Sequence, residues 1–365
     1  MLRLRLHEHP MPTGSRDPDV LLAWVLDSLG LIRRRSEGHE IVETQGALHR
    51  LIRHHLLDQP LRGWDSRNLS EESGMSTTAL HHQLTKLVEC GLLSVVSDER
   101  WRLHLLRNGS LGCALRLIRA EANEVLRQRL LLLDEVIVAS DERMRLALPE
   151  EMDDDMPFRT VVSESGPRGD GMDDLDALIR DFGLDGDRPS TDDRLARRVI
   201  TLLAEHGRPR SMQHLMDETG ATRPRLQRTL DRMRAAAIVE RVPMADRLPQ
   251  DIFAGLVRQR GARGDAWLLG RGGVGRLDEG PRDALMDALT SDSLTIEVTE
   301  SILADCPLQQ RLLLLNTLGG RVPFGHRLTG SDGAAVRGRI MFRAERVLNR
   351  LVTIGERIDA ALAAE

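Results

Sequence analysis

Two stretches of this chain, 146 residues apart, carry one pattern, and any fold must accommodate both copies. Gly74 falls on Gly220. Leu69, Leu80, Leu84 and Leu87 fall on Leu215, Leu226, Leu230 and Met233. The polar run Glu71, Glu72, Ser73 falls on Asp217, Glu218, Thr219, and Gly91, Leu92, Leu93 fall on Ala237, Ile238, Val239. Trp101 and Trp267 are each expected to open the second strand of a hairpin. A gap-free match through this stretch argues for a duplicated unit rather than for chance agreement between amphipathic helices.

The first copy reads as a short helix at 66–73, a turn at Gly74-Met75-Ser76 and a helix at 77–90. Leu80, Leu84, Leu87 and Val88 of that helix face inward, and Gly91 ends it, as a residue tolerant of positive φ does. LLSVV and RWRLHLL then read as strands around Ser97-Asp98-Glu99. The second copy reads as helices at 194–205, 211–219 and 222–236, followed by strands IVERV and AWLLG. Between those strands lies an insertion at 243–265 whose middle, QDIFAGLVRQR, is helical in pattern.

The flanks add a strand at 2–6, a helix at 18–29 stopped by Gly30, a hairpin turning at Glu37-Gly38, and a helix at 44–57. A long helix is expected at 111–138, with Leu111, Leu115, Ile118, Ala122, Val125, Leu132 and Val136 at steps of three and four and Arg129 interrupting the stripe. Another is expected at 333–363, with Val336, Ile340, Ala344, Val347, Leu351, Ile354 and Ile358. Both stripes suit a coiled-coil-like partner helix. Residues 141–190 are acidic and rich in Gly, Pro and Ser, and read as a flexible linker holding one short helix at 173–182.

The repeated segments, LSEESGMSTTALHHQLTKLVECGLLSVV and MQHLMDETGATRPRLQRTLDRMRAAAIVERV, resemble the winged helix-turn-helix transcriptional regulators of the ArsR and MarR type. The resemblance covers about 46–106 and 191–270. It implies a positioning helix, a turn, a recognition helix and a first wing strand in each copy. The fold class expected is mainly α with small β-hairpin wings: two winged helix-turn-helix domains plus long helices. The boundaries expected are an N-terminal strand, helix and hairpin at 1–45, a first winged unit at 46–110 and a long helix at 111–140. An acidic linker at 141–190, a second winged unit at 191–278 and a helical C-terminal region at 279–365 follow.

Composition sets limits on function. Charged residues make up 29% of the 365 and hydrophobic residues 41%, which fits a folded chain rather than a disordered one. Aromatics are 2%, too few for a base-stacking platform, so single-strand and RNA binding are disfavoured. Lys86 is the sole lysine among arginines. The net charge of −5 hides an asymmetry: 141–193 holds seventeen acids against six arginines, −11, which leaves the rest at +6. A mildly basic body joined by an acidic connector is compatible with nucleic-acid binding. Cys90, Cys113 and Cys306 lie far apart with no CxxC pair, which argues against a disulfide framework and fits a reducing, cytoplasmic setting. No apolar run reaches the length of a leader or a membrane span.

A recognition helix must bury one face and offer the other to a major groove. The outward face of the first copy is expected to be Thr78, His81, His82, Thr85 and Lys86. That of the second is Arg223, Arg225, Gln227, Arg228 and Arg232, where arginine forks match guanine edges and phosphates. Arg100 and Arg102 in the first wing, and Arg258, Arg260 and Arg263 in the second, are placed for phosphate.

GRGGVG at 270–275 matches a dinucleotide-binding spacing literally. It lacks the surrounding strand-helix-strand unit and reads as a turn. His81-His82, His54-His55 and His7-x-His9 lack a cysteine partner and are not read as metal ligands, and Cys90 and Cys113 read as small packing residues. No catalytic constellation is present, and no cofactor is expected. The sequence therefore points to a homodimeric, double-stranded-DNA-binding regulator, paired through its long helices and not an enzyme. The alternative is a tandem winged-helix protein–protein adaptor in a chromosome segregation or replication complex.

Overall fold

The computed structural model describes residues 1–32, 46–98, 101–144, 156–186, 194–321 and 323–364. The chain is mainly helical with small antiparallel sheets. Strand β1 (Arg3–His7) buries Leu4 and Leu6 and turns Arg3, Arg5 and His7 outward, the period-two alternation of a one-sided strand. Helix α1 (Pro18–Ser28) starts where the Asp17 carboxylate accepts the Asp19 N–H and Pro18 fixes the first turn. Helix α2 (Ala47–Leu51) runs on into a π-helical turn, Ile52–Leu56. The hairpin expected at Glu37-Gly38 lies outside the described residues.

Helices α3 (Ser66–Ser73) and α4 (Thr77–Glu89) follow, then strands β2 (Leu93–Asp98) and β3 (Trp101–Leu106), which pair as a hairpin. Trp64 adds a bridge to His104 on the other edge of β3. The expected 111–138 helix is two helices, α5 (Leu111–Arg129) and α6 (Leu132–Val136). Arg129 leaves the apolar stripe to meet Asp181 at 2.8 Å, and the buried set shifts to Leu130 and Leu133.

The span expected to be a flexible linker contributes structure. Strand β4 (Arg159–Ser163) pairs with β1, Phe158 and Val162 are buried, and helix α7 (Asp174–Asp181) packs beside it. Buried aliphatic side chains outweighed the acidic composition around them.

Helices α8 (Leu195–Glu205), α9 (Met212–Thr219) and α10 (Arg223–Ala235) form the second set, with the two-residue strand β5 (Arg210–Ser211) before α9 and strand β6 (Val239–Pro243) after α10. The partner of β6 is not AWLLG. That segment is helical, within α12 (Asp265–Leu269), which follows α11 (Leu248–Arg263). After α13 (Glu279–Thr290), α14 (Ile296–Leu303) and α15 (Leu308–Thr317) the chain returns as strand β7 (Phe324–Leu328), which lies between β5 and β6. Five helices are thus inserted into a hairpin, and they close their own core around Leu248, Ile252, Leu256, Leu268, Leu285 and Leu315. The region expected to be wholly helical from 279 onward therefore contains a strand. The chain described ends in α16 (Gly333–Leu362), begun where Asp332 accepts the Ala335 N–H.

The elements recur at fixed offsets. Adding 146 carries α3 onto α9, α4 onto α10, the N-cap Asp65 onto Ser211, and left-handed Gly74 (φ 67°) onto Gly220 (φ 65°). It also carries left-handed Gly91 (φ 82°) onto Ala237 (φ 59°). Beyond the insertion the offset becomes 222, which takes the pair Leu93↔Leu106 to Val239↔Leu328, the bridge Trp64↔His104 to Arg210↔His326, and the start of α5 to the start of α16. At 156, β1 falls on β4 and Asp17 on Asp173, the N-cap of α7.

The halves meet about a pseudo-two-fold axis. In the β1–β4 ribbon Arg3 opposes Ser163, His7 opposes Arg159, and the centre is Arg5 opposite Val161. Each ribbon end closes in the same way. Glu8 donates its N–H to the Phe158 carbonyl and accepts the Phe158 N–H on its carboxylate. Glu164 does both with Leu2, each residue 156 positions from its counterpart. Such reciprocal contacts mark an isologous interface. Helices α5 and α16 run antiparallel with Ala122 and Ala344, equivalent at offset 222, both fully buried. At one end Gly355 approaches Gly112; at the other Gly333 approaches Leu133 and Asp134. Ion pairs Arg116–Glu356 and Arg337–Asp134 flank the crossing. Each ribbon strand packs on the long helix of the other half, and side chains of both halves join one core.

Candidate nucleic-acid interface

The two equivalent helices α4 and α10 each begin after a left-handed glycine that turns the chain sharply out of the preceding helix. No atom lies within 4 Å of the place where a Cβ would sit on Gly74 or Gly220, so the backbone angle alone selects glycine there. Ser76 starts α4, its hydroxyl accepting the Ala79 N–H at 3.3 Å, and Pro224 fixes the first turn of α10.

On α4 the buried positions are Leu80, Leu84 and Leu87. Thr78, His81, His82 and Thr85 are exposed, at the steps that place them on one face. The Thr85 hydroxyl donates to the His81 carbonyl at 2.9 Å, and Lys86 is half-buried at the edge. On α10 the buried positions are Leu226, Thr229, Leu230 and Met233, and the first half of the helix exposes Arg223, Arg225 and Arg228. Arg228 donates from Nε to the Pro224 carbonyl at 3.2 Å, which leans its guanidinium toward the N-terminus of the helix.

Two expected members of this face turn elsewhere. Gln227 is half-buried and donates to Asp231 at 2.8 Å. Arg232 is half-buried and donates to the Leu184 carbonyl at 2.8 Å and to the Thr229 hydroxyl at 3.1 Å. Helix α10 packs beside β4, and the chain at Leu184 draws Arg232 away from the outer face where the sequence suggested solvent.

The hairpins differ. In the first half, Arg102 is exposed on β3 opposite Ser97, and Trp101 beside it is 57% exposed. Arg100 lies outside the described residues. Val95 and Val96 on β2 are also exposed, so this hairpin offers both apolar and cationic surface. A cleft of about 410 Å³ between α3, the start of α4 and the hairpin is lined by Asp65, Arg67, Ser70, Thr77, Trp101 and Arg102. Arg67 carries no signal in the sequence, because it meets Trp101 only where the cleft brings them together.

In the second half the helical insertion replaces a tight turn. Arg258, Arg260 and Arg263 therefore lie on α11 rather than on a strand tip. Arg258 donates to the Leu318 carbonyl at 3.1 Å, Arg260 meets Asp265 at 3.0 Å, and Arg263 lies 4.7 Å over the Trp267 ring.

No family model matches this chain, and comparison with curated proteins and with solved structures gives no match either. What the surface can do rests on its own chemistry.

That chemistry is polar contact and charge. Burial pushes the Cys90 thiol up to about 12, so this sulfur stays protonated beneath the end of α4. Burial also holds the His104 imidazole below its ordinary value, although the Trp64 carbonyl works the other way. His104 is therefore neutral at pH 7, and among the described residues Arg102 is the cation of this hairpin. Among the described residues no three His, Cys, Asp or Glu side chains gather as metal ligands, and no helix is long and apolar enough to cross a membrane. Around 270–275, Gly273 takes a left-handed φ of 87° after α12, and Gly272 and Gly275 lie against the backbone of that helix.

Proposed function

We propose that this chain is a double-stranded-DNA-binding regulator that presents two winged helix-turn-helix units as one pseudo-dimer. The observation that carries the reading is the pair of equivalent, outward-facing helices, α4 and α10, held by a pseudo-two-fold frame. Their exposed faces hold Thr78, His81, His82 and Thr85 on one side and Arg223, Arg225 and Arg228 on the other. A major groove admits a helix of this kind, and two-fold-related helices suit half-sites about one helical turn apart. Arginine supplies bidentate contacts to guanine and phosphate on the α10 side, and hydroxyl and imidazole groups supply neutral hydrogen bonds on the α4 side. Arg102 adds a phosphate contact from the first hairpin.

In this proposal one chain supplies both halves, so the pairing through the long helices that the sequence suggested between two chains occurs within one. The stripe residues Leu115, Ile118 and Ala122 of α5 and Val336, Ile340 and Ala344 of α16 are buried inside a single molecule.

Replacing Arg225 and Arg228 with alanine tests the assignment. Both are exposed and outside the core, so the circular dichroism spectrum should be retained. Fluorescence anisotropy with labelled genomic duplex at moderate salt should show affinity reduced by about tenfold or more per arginine lost. Unchanged affinity would refute the role of α10.

A protein-docking adaptor is the second reading, and the exposed Val95, Val96 and Trp101 favour it. In that case Trp101→Ala would abolish partner capture and leave any duplex binding intact.

A further inference from the structure

The outward face of the β1–β4 ribbon borders a hollow that the DNA-binding reading does not use. Its volume, about 480 Å³, lies in the range of small-molecule sites. Six basic side chains line it: Arg3, Arg5 and His7 from β1, Arg159 from β4, Arg180 from α7 and Arg232 from α10. Among the described residues its one acidic lining residue, Asp231, is engaged by Gln227 at 2.8 Å and Arg234 at 3.0 Å.

We propose that this hollow binds a small organic anion carrying two or more phosphate groups.

The buried face of the ribbon does not require cations on its outer face. The ribbon is held by its other face, where Leu4, Leu6 and Val162 are buried. The pseudo-two-fold equivalents of Arg5 and His7 are Val161 and Ser163, and the equivalent of Arg232 is Lys86, so the structural frame tolerates other residues at the same places. Like charges crowded on one face repel, and the crowding adds to burial at one side chain. Burial first, then Arg159, His9 and Arg5, hold the His7 imidazole down to about 4. His7 is therefore neutral at pH 7 and serves as a hydrogen-bond donor among guanidiniums.

Arg180 divides its donors between Asp181 and the Pro167 carbonyl, and Arg232 holds the Leu184 carbonyl, which fixes both guanidiniums at the rim. Guanidinium forks match phosphate oxygens two at a time. Several forks converging from four elements suit more than one phosphate. Met156, Val161, Phe182 and Leu184 also line the hollow and provide apolar surface for a base or other organic moiety. A duplex is too wide to enter a space of this size, so DNA phosphate is not the ligand.

Isothermal titration calorimetry on the whole chain tests this with two probes, ATP and inorganic tripolyphosphate. One ATP should bind per chain, more tightly than tripolyphosphate, because only ATP fills the apolar lining. Arg5→Gln and Arg159→Gln should each weaken ATP by about tenfold, the usual loss for one charge-assisted contact. The Arg225→Ala, Arg228→Ala double variant, altered outside the hollow, should bind ATP as the unaltered chain does. An independent readout on unaltered protein is the His7 ring in NMR titrations, whose pKa should rise from about 4 when the anion is bound.

Heats of dilution alone with both probes would overturn the proposal, as would a static His7 titration. Equal affinity for the two probes would overturn the organic part of it. Loss of ATP binding in the α10 variant would assign the signal to the helix face instead. Failure of this site would leave the duplex-binding experiment untouched, since the two use different residues.

Discussion

A single backbone position illustrates how the two halves solve one problem differently. The residue after α4 must take a left-handed conformation, and Gly91 does so at φ 82°. Its counterpart after α10 is Ala237, held at φ 59°, where a Cβ costs about 1–2 kcal/mol. The Ala237 carbonyl accepts the Thr329 hydroxyl at 2.8 Å, and the Ala237 N–H donates to the Arg234 carbonyl at 2.9 Å. Gly91→Ala should therefore fold, with stability lowered by about 1–2 kcal/mol in urea denaturation. A Cβ at Gly91 would lie 3.2 Å from both Arg107 and Ile118, whereas one at Gly74 would meet nothing within 4 Å. Gly74→Ala should accordingly cost less than Gly91→Ala. Equal midpoints for the two variants would show that crowding plays no part. At this scale the sequence was informative: Gly74, Gly91 and Gly220 announced their turns because glycine is the residue such angles select. Gln227 and Arg232 were misplaced because one turns to Asp231 on its own helix and the other to the Leu184 carbonyl, 48 residues away in sequence.

Among elements, the close crossing of α5 and α16 is the most exacting. A Cβ on Gly355 would sit 2.5 Å from a Leu115 methyl and 3.4 Å from the Gly112 backbone. Gly355→Ala should destabilise the chain by about 1–3 kcal/mol, the usual penalty for overpacking. Gly338→Ala, on the same helix with nothing within 4 Å, should be neutral or stabilising by about 0.5–1 kcal/mol. Thermal melts of both variants would check the contrast, and equal melting points would contradict it. Helices with caps and steady periodicity were legible from the chain alone, α3, α4, α9 and α10 among them. Strands were not. FRTVVS was hidden by acidic neighbours, and FGHRL forms β7 only because β6, some 80 residues earlier, lies beside it. AWLLG has an apolar run too short to distinguish helix from strand by period.

At the scale of the whole molecule, the apolar stripes of α5 and α16 are spent on each other. Light scattering at micromolar concentration should therefore give a mass near 40.8 kDa, the single chain. Refolding rates should not change with protein concentration. A doubled mass that persists on dilution would mean that another surface pairs two chains. The basic ribbon at the pseudo-axis was foreshadowed by the alternation in MLRLRL, which marks a one-sided strand. Its partner β4 and the hollow beside it were not foreshadowed, since both arise where distant segments converge.

A homodimer carries every substitution twice, so its two reading heads must always match and its target must be palindromic. Here the two equivalent helices lie at different codons of one gene. His81 can change without touching Arg228, and dilution cannot part the halves. Covalent joining leaves each free to differ from the other, and one presents threonine and histidine where the other presents arginine.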